Sequence, residues 1–380
     1  MDLSSCGRYG LLTNMKRNFL ILFSLLFAFS NVCEATFGYY SPLTVQTGQV
    51  PSTQTDFPIL ISVTDTRFKT VGNGGHVQNS NGFDIRPYSD SGLTAAITGY
   101  ELERYNATTG EVVMWVKVAS LSSSTTPIYL AYGDSGISTD GSSTATWSNS
   151  FVAVYHLKDG TTLSLNDSSP NGHTLTNTTV TATTGQIDGA SGYITGNTSQ
   201  YLSNASGNDP GTAFTLSAWV NGSAFNTYSA AISFAPTTTF ALFVKSNGKL
   251  ACYLQATGQV SYDGTGSHTL STATWYYVTM TYSSSAGLVG YVNAASDGTA
   301  SANGNSTTHG VINIGRDAVT ISGRFWQGTI DEARTASVVR SANWITTEYN
   351  NQSAPGTFMT LGTEVSLLDH TNLFFNFLKP

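Results

Sequence analysis

Two pairs of acids stand out in a chain where only 10% of residues are charged. Glu101 and Glu103 lie two apart in Gly99-Tyr-Glu-Leu-Glu-Arg-Tyr105, which reads as a strand. Same-face neighbours on a strand are ~6.6 Å apart, within the roughly 5–9.5 Å spacing of glycosidase carboxylates. The plainer reading, and the preferred one, is a solvated strand face with Arg104 beside it. Asp331 and Glu332 are adjacent in Phe325-Trp-Gln-Gly-Thr-Ile-Asp-Glu-Ala-Arg334. A regular strand sends them to opposite faces and lets Glu332 reach Arg334. The six histidines are His76, His156, His173, His268, His309 and His370. None pair at a zinc-binding spacing, and neither a nucleophile elbow nor a phosphate loop occurs. His156 sits in an apolar strand and reads as a satisfied core or rim histidine. The loop Asp167–His173 either presents polar groups to a ligand or forms a well-ordered surface turn.

The elements that would position these residues are nearly all strands. Phe57-Pro-Ile-Leu-Ile-Ser-Val63, Glu111-Val-Val-Met-Trp-Val-Lys-Val118 and Pro127-Ile-Tyr-Leu-Ala-Tyr132 are β-prone runs separated by Gly- and Asn-rich turns. Residues 133–149 are polar and rich in Gly, Ser and Thr, and a boundary is expected there. Beyond it, Phe214-Thr-Leu-Ser-Ala-Trp-Val220 alternates, and Ser246-Asn-Gly248 joins 239–245 to 249–255 as a hairpin. Trp275 and Tyr277 would share one strand face; Tyr276, Val278, Met280 and Tyr282 would enter the core. One helix is expected, about 342–350, capped by Ser341. The fold class is all-β, with two β-sandwich modules.

Hydrophobic residues make up 40% and aromatics 12% of 380 residues, enough for two cores. A net charge of −7 with no basic cluster argues against nucleic acid as a partner. Lys16-Arg17, the apolar run Phe19–Phe29 and Cys33-Glu34-Ala35 read as a secretory signal cleaved near Ala35. The run is shorter than the ~20 residues that span a bilayer, so no stable transmembrane segment is expected after cleavage. Translation could start at Met1 or Met15. A secreted, periplasmic or cell-surface location follows. Cys252, left alone after cleavage, is expected to be a small buried apolar residue.

The N-terminal module resembles DUF2341 through Thr55–Asp65, Gly75–Asp84, Tyr105–Val118 and Ile128–Asp134. The C-terminal module is similar to concanavalin A-like lectin/glucanase domains of the laminin G-like type. The matching residues are Val154-Tyr-His-Leu157, Asp167–His173, Phe214–Val220, Gly328–Arg334 and Trp344–Gln352. The resemblance implies a laminin G-like jelly roll for the second module. The expected layout is 1–35 extension and signal, 36–147 DUF2341 domain, 148–365 jelly roll and 366–380 tail. The resemblance further implies a structural calcium at Asp331, with backbone oxygens from the early turn at Thr195 and Asn197, where Thr195 stands in place of the family's Asp. The alternative is that Asp331 bonds nearby backbone.

The Glu-x-Asp-x-x-Glu signature of jelly-roll glucanases is absent, so no catalytic residue is assigned and a non-enzymatic protein is expected. The leading expectation is a secreted or surface-exposed binding protein for a carbohydrate or surface ligand. A structural adhesin, envelope or phage tail component is the alternative, followed by a polysaccharide hydrolase or lyase. Calcium is the single cofactor expected.

Overall fold

The computed structural model describes residues 36–158, 162–235, 240–255, 259–304, 310–319 and 323–367. The expected signal segment and the tail beyond residue 367 lie outside the described residues. Strands are numbered in chain order. The first module opens with β1 (Tyr39–Val45), which pairs with β6 (Ile128–Tyr132), itself paired with β3 (Arg86–Tyr88). Facing this sheet is a three-stranded one, in which β5 (Glu111–Leu121) lies between β2 (Gln54–Thr64) and β4 (Tyr100–Asn106). Phe57, Ile59, Ile61, Met114 and Val116 share one core with Leu43, Val45, Ile128 and Leu130. Leu60 and Trp115 point the other way and are buried too. Burial on both faces explains why β2 and β5 read as continuous apolar runs rather than alternating ones.

The second module is a jelly roll of two antiparallel sheets. One runs β19 (Ala295–Ala300), β18 (Gly287–Val292), β17 (Tyr276–Ser283), β12 (Phe214–Gly222), β21 (Gly328–Ala336), β10 (Gly189–Tyr193), β9 (Thr181–Thr184). In this sheet β7 (Phe151–Tyr155) also pairs with β21. The other sheet runs β16 (Gln259–Asp263), β15 (Leu250–Gln255), β14 (Phe240–Val244), β13 (Ser229–Ala235), β20 (Val311–Ile314), β11 (Tyr201–Asn204), β8 (Thr176–Thr178). Leu216, Ala218, Val220, Leu242, Val244, Cys252, Val278, Met280 and Ile314 fill the space between them. Cys252 is therefore the core residue its alternation predicts. Gly248, at φ 74°, closes the β14–β15 hairpin, a backbone conformation that favours glycine.

The two modules share more than a linker. Ser341 caps α1 (Ala342–Ser353) by accepting the Trp344 N–H. The helix runs three residues further than the sequence suggested. It lies between β2 and the β12–β17 face of the jelly roll: Trp344 meets Phe57 at 4.6 Å between ring centroids. On its other side Trp219 Nε1 donates to Gln352 and Tyr277 OH to Glu348. β2 is an edge strand, and the Asn351 carboxamide completes it. Leu60 N–H donates to Asn351 Oδ1 at 2.7 Å, and Asn351 Nδ2 donates to Leu60 C=O at 2.9 Å. After the short α2 (Pro355–Phe358) come β22 (Met359–Leu361), expected within the jelly roll, and β23 (Val365–Ser366), at its expected end. Both pair instead with β1 of the first module. The described residues from Phe37 to Leu367 thus form one compact unit, all-β but for α1, α2 and short 3-10 turns.

Candidate functional site

β21 carries the adjacent acids, and its ladder is interrupted where they lie. Along one edge β10 pairs with it as far as Ile330 and β7 takes over at Ala333. Along the other, the register to β12 shifts between Ser217 and Trp219. Glu332 adopts φ 51°, as at a β-bulge. The expectation of opposite faces is therefore corrected. Ile330 and Ala333 enter the jelly-roll core, while Asp331, Glu332 and Arg334 all lie toward the first module, each almost wholly buried.

Glu101 and Glu103 come to meet them. β4 has its own register shift between Leu102 and Arg104, and both acids point to the Trp115 side of the sheet. They are not a solvated strand face: Glu103 is buried and Glu101 is largely covered. His156 sits between the two modules. Its Nδ1 lies 2.7 Å from Glu332 Oε1 and 3.5 Å from Glu103 Oε2, and its Nε2 lies 3.3 Å from Glu101 Oε2. Trp115 Nε1 donates to Glu103 Oε2 at 2.6 Å; Trp147 Nε1 and Ser168 Oγ donate to Glu101, both at 2.8 Å. Arg334 bonds Glu332, as its spacing predicted, and reaches Glu348 at 3.4 Å. It also packs over the rings of Trp115 and Trp147 at 4.4 and 4.7 Å.

The charges in this cluster set one another. Burial would lower the His156 pKa, but Glu332, Glu103 and Glu101 raise it well above its ordinary value. Burial pushes Glu103 up to about 8, with Glu332 adding to the shift and His156 opposing it. Burial would also raise Glu101, but His156 and Lys158 hold it down at about 2. What results is a buried cluster in which burial favours the neutral form of Glu103 while the neighbouring carboxylates favour the charged form of His156. Beside it opens a cleft of about 780 Å³, with Glu103, Arg104, Lys158, Ser164, Thr183 and Asp188 on its walls.

The expected calcium ligands are not brought together. Asp331 Oδ2 accepts from Ile187 N–H at 2.9 Å, the backbone bond that was the alternative to calcium. Asn197 lies beyond the end of the β10–β21 pairing at Tyr193↔Gly328, three or more registers, roughly 10 Å, along the strand. Its carboxamide oxygen accepts from the N–H groups of Ser199 and Gln200. Thr195 bonds Ser223. Calcium takes 6–8 oxygens. Of these three residues, Asp331 alone keeps a buried side-chain oxygen, Oδ1, without a partner. The three side chains do not converge on one ion. The loop 167–173 takes the ordered-turn form, Asp167 accepting from the N–H groups of Val154, Ser169 and His173.

A second place on the jelly roll has the makings of a binding surface. On the outer face of β13–β16, the small side chains of Ala230, Ala241 and Ala251 let Tyr228 and Tyr253 lie against the sheet over Phe243. Both tyrosines are half-buried. Their hydroxyls stand 3.1 Å apart, and Tyr228 OH donates to Asp263 at 3.2 Å. Lys245 Nζ bonds Asp263 at 2.8 Å; Lys245 and Arg324 lie 5.0 and 4.9 Å from the Tyr228 ring centroid. Burial would raise the Asp263 pKa, but Lys245 and the two tyrosines bring it below the ordinary value. Sequence reading did not single this patch out. The outward places of the β14–β15 hairpin, Phe243, Lys245 and Tyr253, were the legible part; Tyr228 and Arg324 arrive from distant segments. The other aromatic face, Trp275 with Tyr277, is no open platform, because Tyr277 is covered beneath α1 with Trp219.

Comparison with curated proteins gave no match. Among solved structures, domain 4 of AbnA, a GH43 extracellular arabinanase from Geobacillus stearothermophilus in complex with arabinotriose, aligns at 17% identity. Its TM-score is 0.44, and the alignment covers 52% of this chain and 96% of that one. The binding domain of Paraclostridial Mosquitocidal Protein 1 aligns at 13% identity and TM-score 0.43, covering 53% of this chain and 52% of its own. The receptor binding domain of botulinum neurotoxin type G aligns at 15% and 0.42, covering 54% and 52%. Residues 81–169 match the DUF2341 domain of unknown function, and residues 195–346 match Laminin_G_3, the concanavalin A-like lectin/glucanases superfamily. The chain therefore carries a DUF2341 domain followed by a laminin G-like, concanavalin A-like domain.

Proposed function

We propose that this is a non-enzymatic binding protein, secreted or displayed at a surface, that takes a carbohydrate chain on the outer face of its jelly roll. The observation carrying this reading is the Tyr228–Tyr253 patch. Sugar recognition needs aromatic area for the apolar C–H faces and fixed polar groups for the hydroxyls. Tyr228 and Tyr253 supply the first; Asp263, Lys245 and Arg324 supply the second. Enzyme chemistry has less support. The carboxylates that approach one another, Glu103 and Glu332, have side chains with 0% exposure, and a general acid must reach its substrate. Among the described residues no helix is long and apolar enough to cross a membrane.

The test is a polysaccharide pull-down and glycan array with the full chain, alongside Tyr253→Ala and Asp263→Asn. Both variants are expected to lose at least about tenfold in affinity, roughly 1.4 kcal/mol, while melting like the parent. Reducing-end assays on any bound polysaccharide should show no turnover. Clean failure across broad panels, or affinity indifferent to both substitutions, would overturn the assignment. Turnover that disappears in Glu101→Gln would replace it with the hydrolase reading.

A further inference from the structure

We propose that Glu103, His156 and Glu332 form a binding site for one divalent transition-metal ion, of the zinc class, that ties the two modules together. Each offers a ligand atom, and these atoms all lie within 4.8 Å of one another. Glu332 Oε1 stands 2.7 Å, and Glu103 Oε2 3.5 Å, from His156 Nδ1. Two ligands of a tetrahedral zinc with bonds of ~2.0–2.1 Å stand roughly 3.3 Å apart, a value between the two separations from His156 Nδ1.

A second observation is independent of the clustering. Glu103 Oε1 is fully buried and has no hydrogen-bond partner, in a side chain with 0% exposure. A buried carboxyl oxygen left unpaired is costly, and a cation that displaces the protons held by His156 and Glu103 would satisfy it. The surrounding bonds are those that metal ligands ordinarily carry. His156 Nε2 is held by Glu101, so Nδ1 is the nitrogen turned to the acids. Trp115 Nε1 orients Glu103, and Arg334 occupies the far oxygen of Glu332. The donor set of one imidazole and two carboxylates suits zinc-class ions; calcium would want oxygen alone. The cleft beside Glu103 gives an ion a route inward. Burial of all three ligands makes the site structural: Glu103 belongs to β4, Glu332 to β21, and His156 follows β7.

Full-length secreted chain, stripped with a chelator and dialysed, is titrated with Zn2+ by calorimetry and with Co2+ by visible absorption. The expected result is one ion per chain, a visible Co2+ spectrum, and a raised melting temperature that the chelator reverses. Glu103→Gln and His156→Gln should abolish binding. Glu101→Gln, which keeps every ligand, should weaken it about 10–100-fold. The wild-type titration decides even if a variant fails to fold. No bound ion, stoichiometry far from one, or binding that survives both ligand substitutions overturns the site. A melting shift with Ca2+ but none with Zn2+ also overturns it.

Discussion

Removing one carboxamide should loosen the whole module junction. Asn351 is 1% exposed and Leu60 0%, and their two hydrogen bonds join α1 to the open edge of β2. Asn351→Ala leaves the Leu60 N–H and C=O facing the helix with nothing to bond. A buried unsatisfied group costs about 1–3 kcal/mol, so the pair costs roughly 2–6. Alanine's better helix propensity returns up to ~0.7 kcal/mol, and water admitted to the vacated space returns more. We expect a net loss of about 2–4 kcal/mol. Urea denaturation of the purified chain should show a lower midpoint with unchanged slope, and hydrogen exchange should show the Leu60 amide losing protection. Asn351→Asp sharpens the test. It keeps an acceptor for Leu60 N–H but sets a carboxylate against the Leu60 carbonyl. Its carboxyl pKa should be raised in the folded state, so stability close to the parent's should hold at low pH and be lost as pH rises through that folded value. A loss below about 1 kcal/mol for Asn351→Ala, with the Leu60 amide still protected, would refute the reasoning.

Three other outcomes are expected. Gly328 has φ 113°, and a Cβ there would lie 2.2 Å from Asn221 O; Gly328→Ala should cost at least roughly 1–3 kcal/mol, and an unchanged urea midpoint would contradict this. Arg334→Gln leaves Glu348 without its buried cation and Glu332 with His156 alone and should cost about 3–5 kcal/mol, read in the same denaturation experiment; a loss under about 1 kcal/mol would show that the carboxylates find other partners. Asp263 is depressed by Lys245 and its tyrosines, so carbohydrate affinity at the patch should hold from neutral pH to about 4. It should fall only as pH drops through the lowered value, and a midpoint near pH 6 would assign the titration to another group.

Local signals reported local structure well. The Asn247-Gly248 turn, the Ser341 cap and the alternation of Leu216, Ala218 and Val220 each depend on a few adjacent residues, and each is found where expected. The junction was less legible because its geometry comes from bulges. Strict alternation sends Asp331 and Glu332 apart; the positive φ at Glu332 brings them together, and nothing in Gly328–Arg334 announces it. Glu101 and Glu103 look solvent-facing because the residues that bury them are remote in sequence, His156 lying 55 positions beyond Glu101 and Glu332 lying 229 beyond Glu103. The double burial of β2 and β5 did leave a trace in their unbroken apolar runs. Correctly weighed, those runs say that a second surface covers the three-stranded sheet.

The pairing of β1 with β22 and β23 has a consequence for synthesis. β6 ends at Tyr132, and β22 starts at Met359. A ribosome adding 5–20 residues per second needs roughly 10–45 s to cross that interval. Throughout it, the first sandwich waits with one margin of β1 uncovered, the kind of unpaired strand that recruits other chains. The jelly roll, all of whose strands emerge within the interval, has everything it needs to fold before its host is finished. In the nascent chain the inserted module can mature first, and the module that surrounds it in sequence is the last to close.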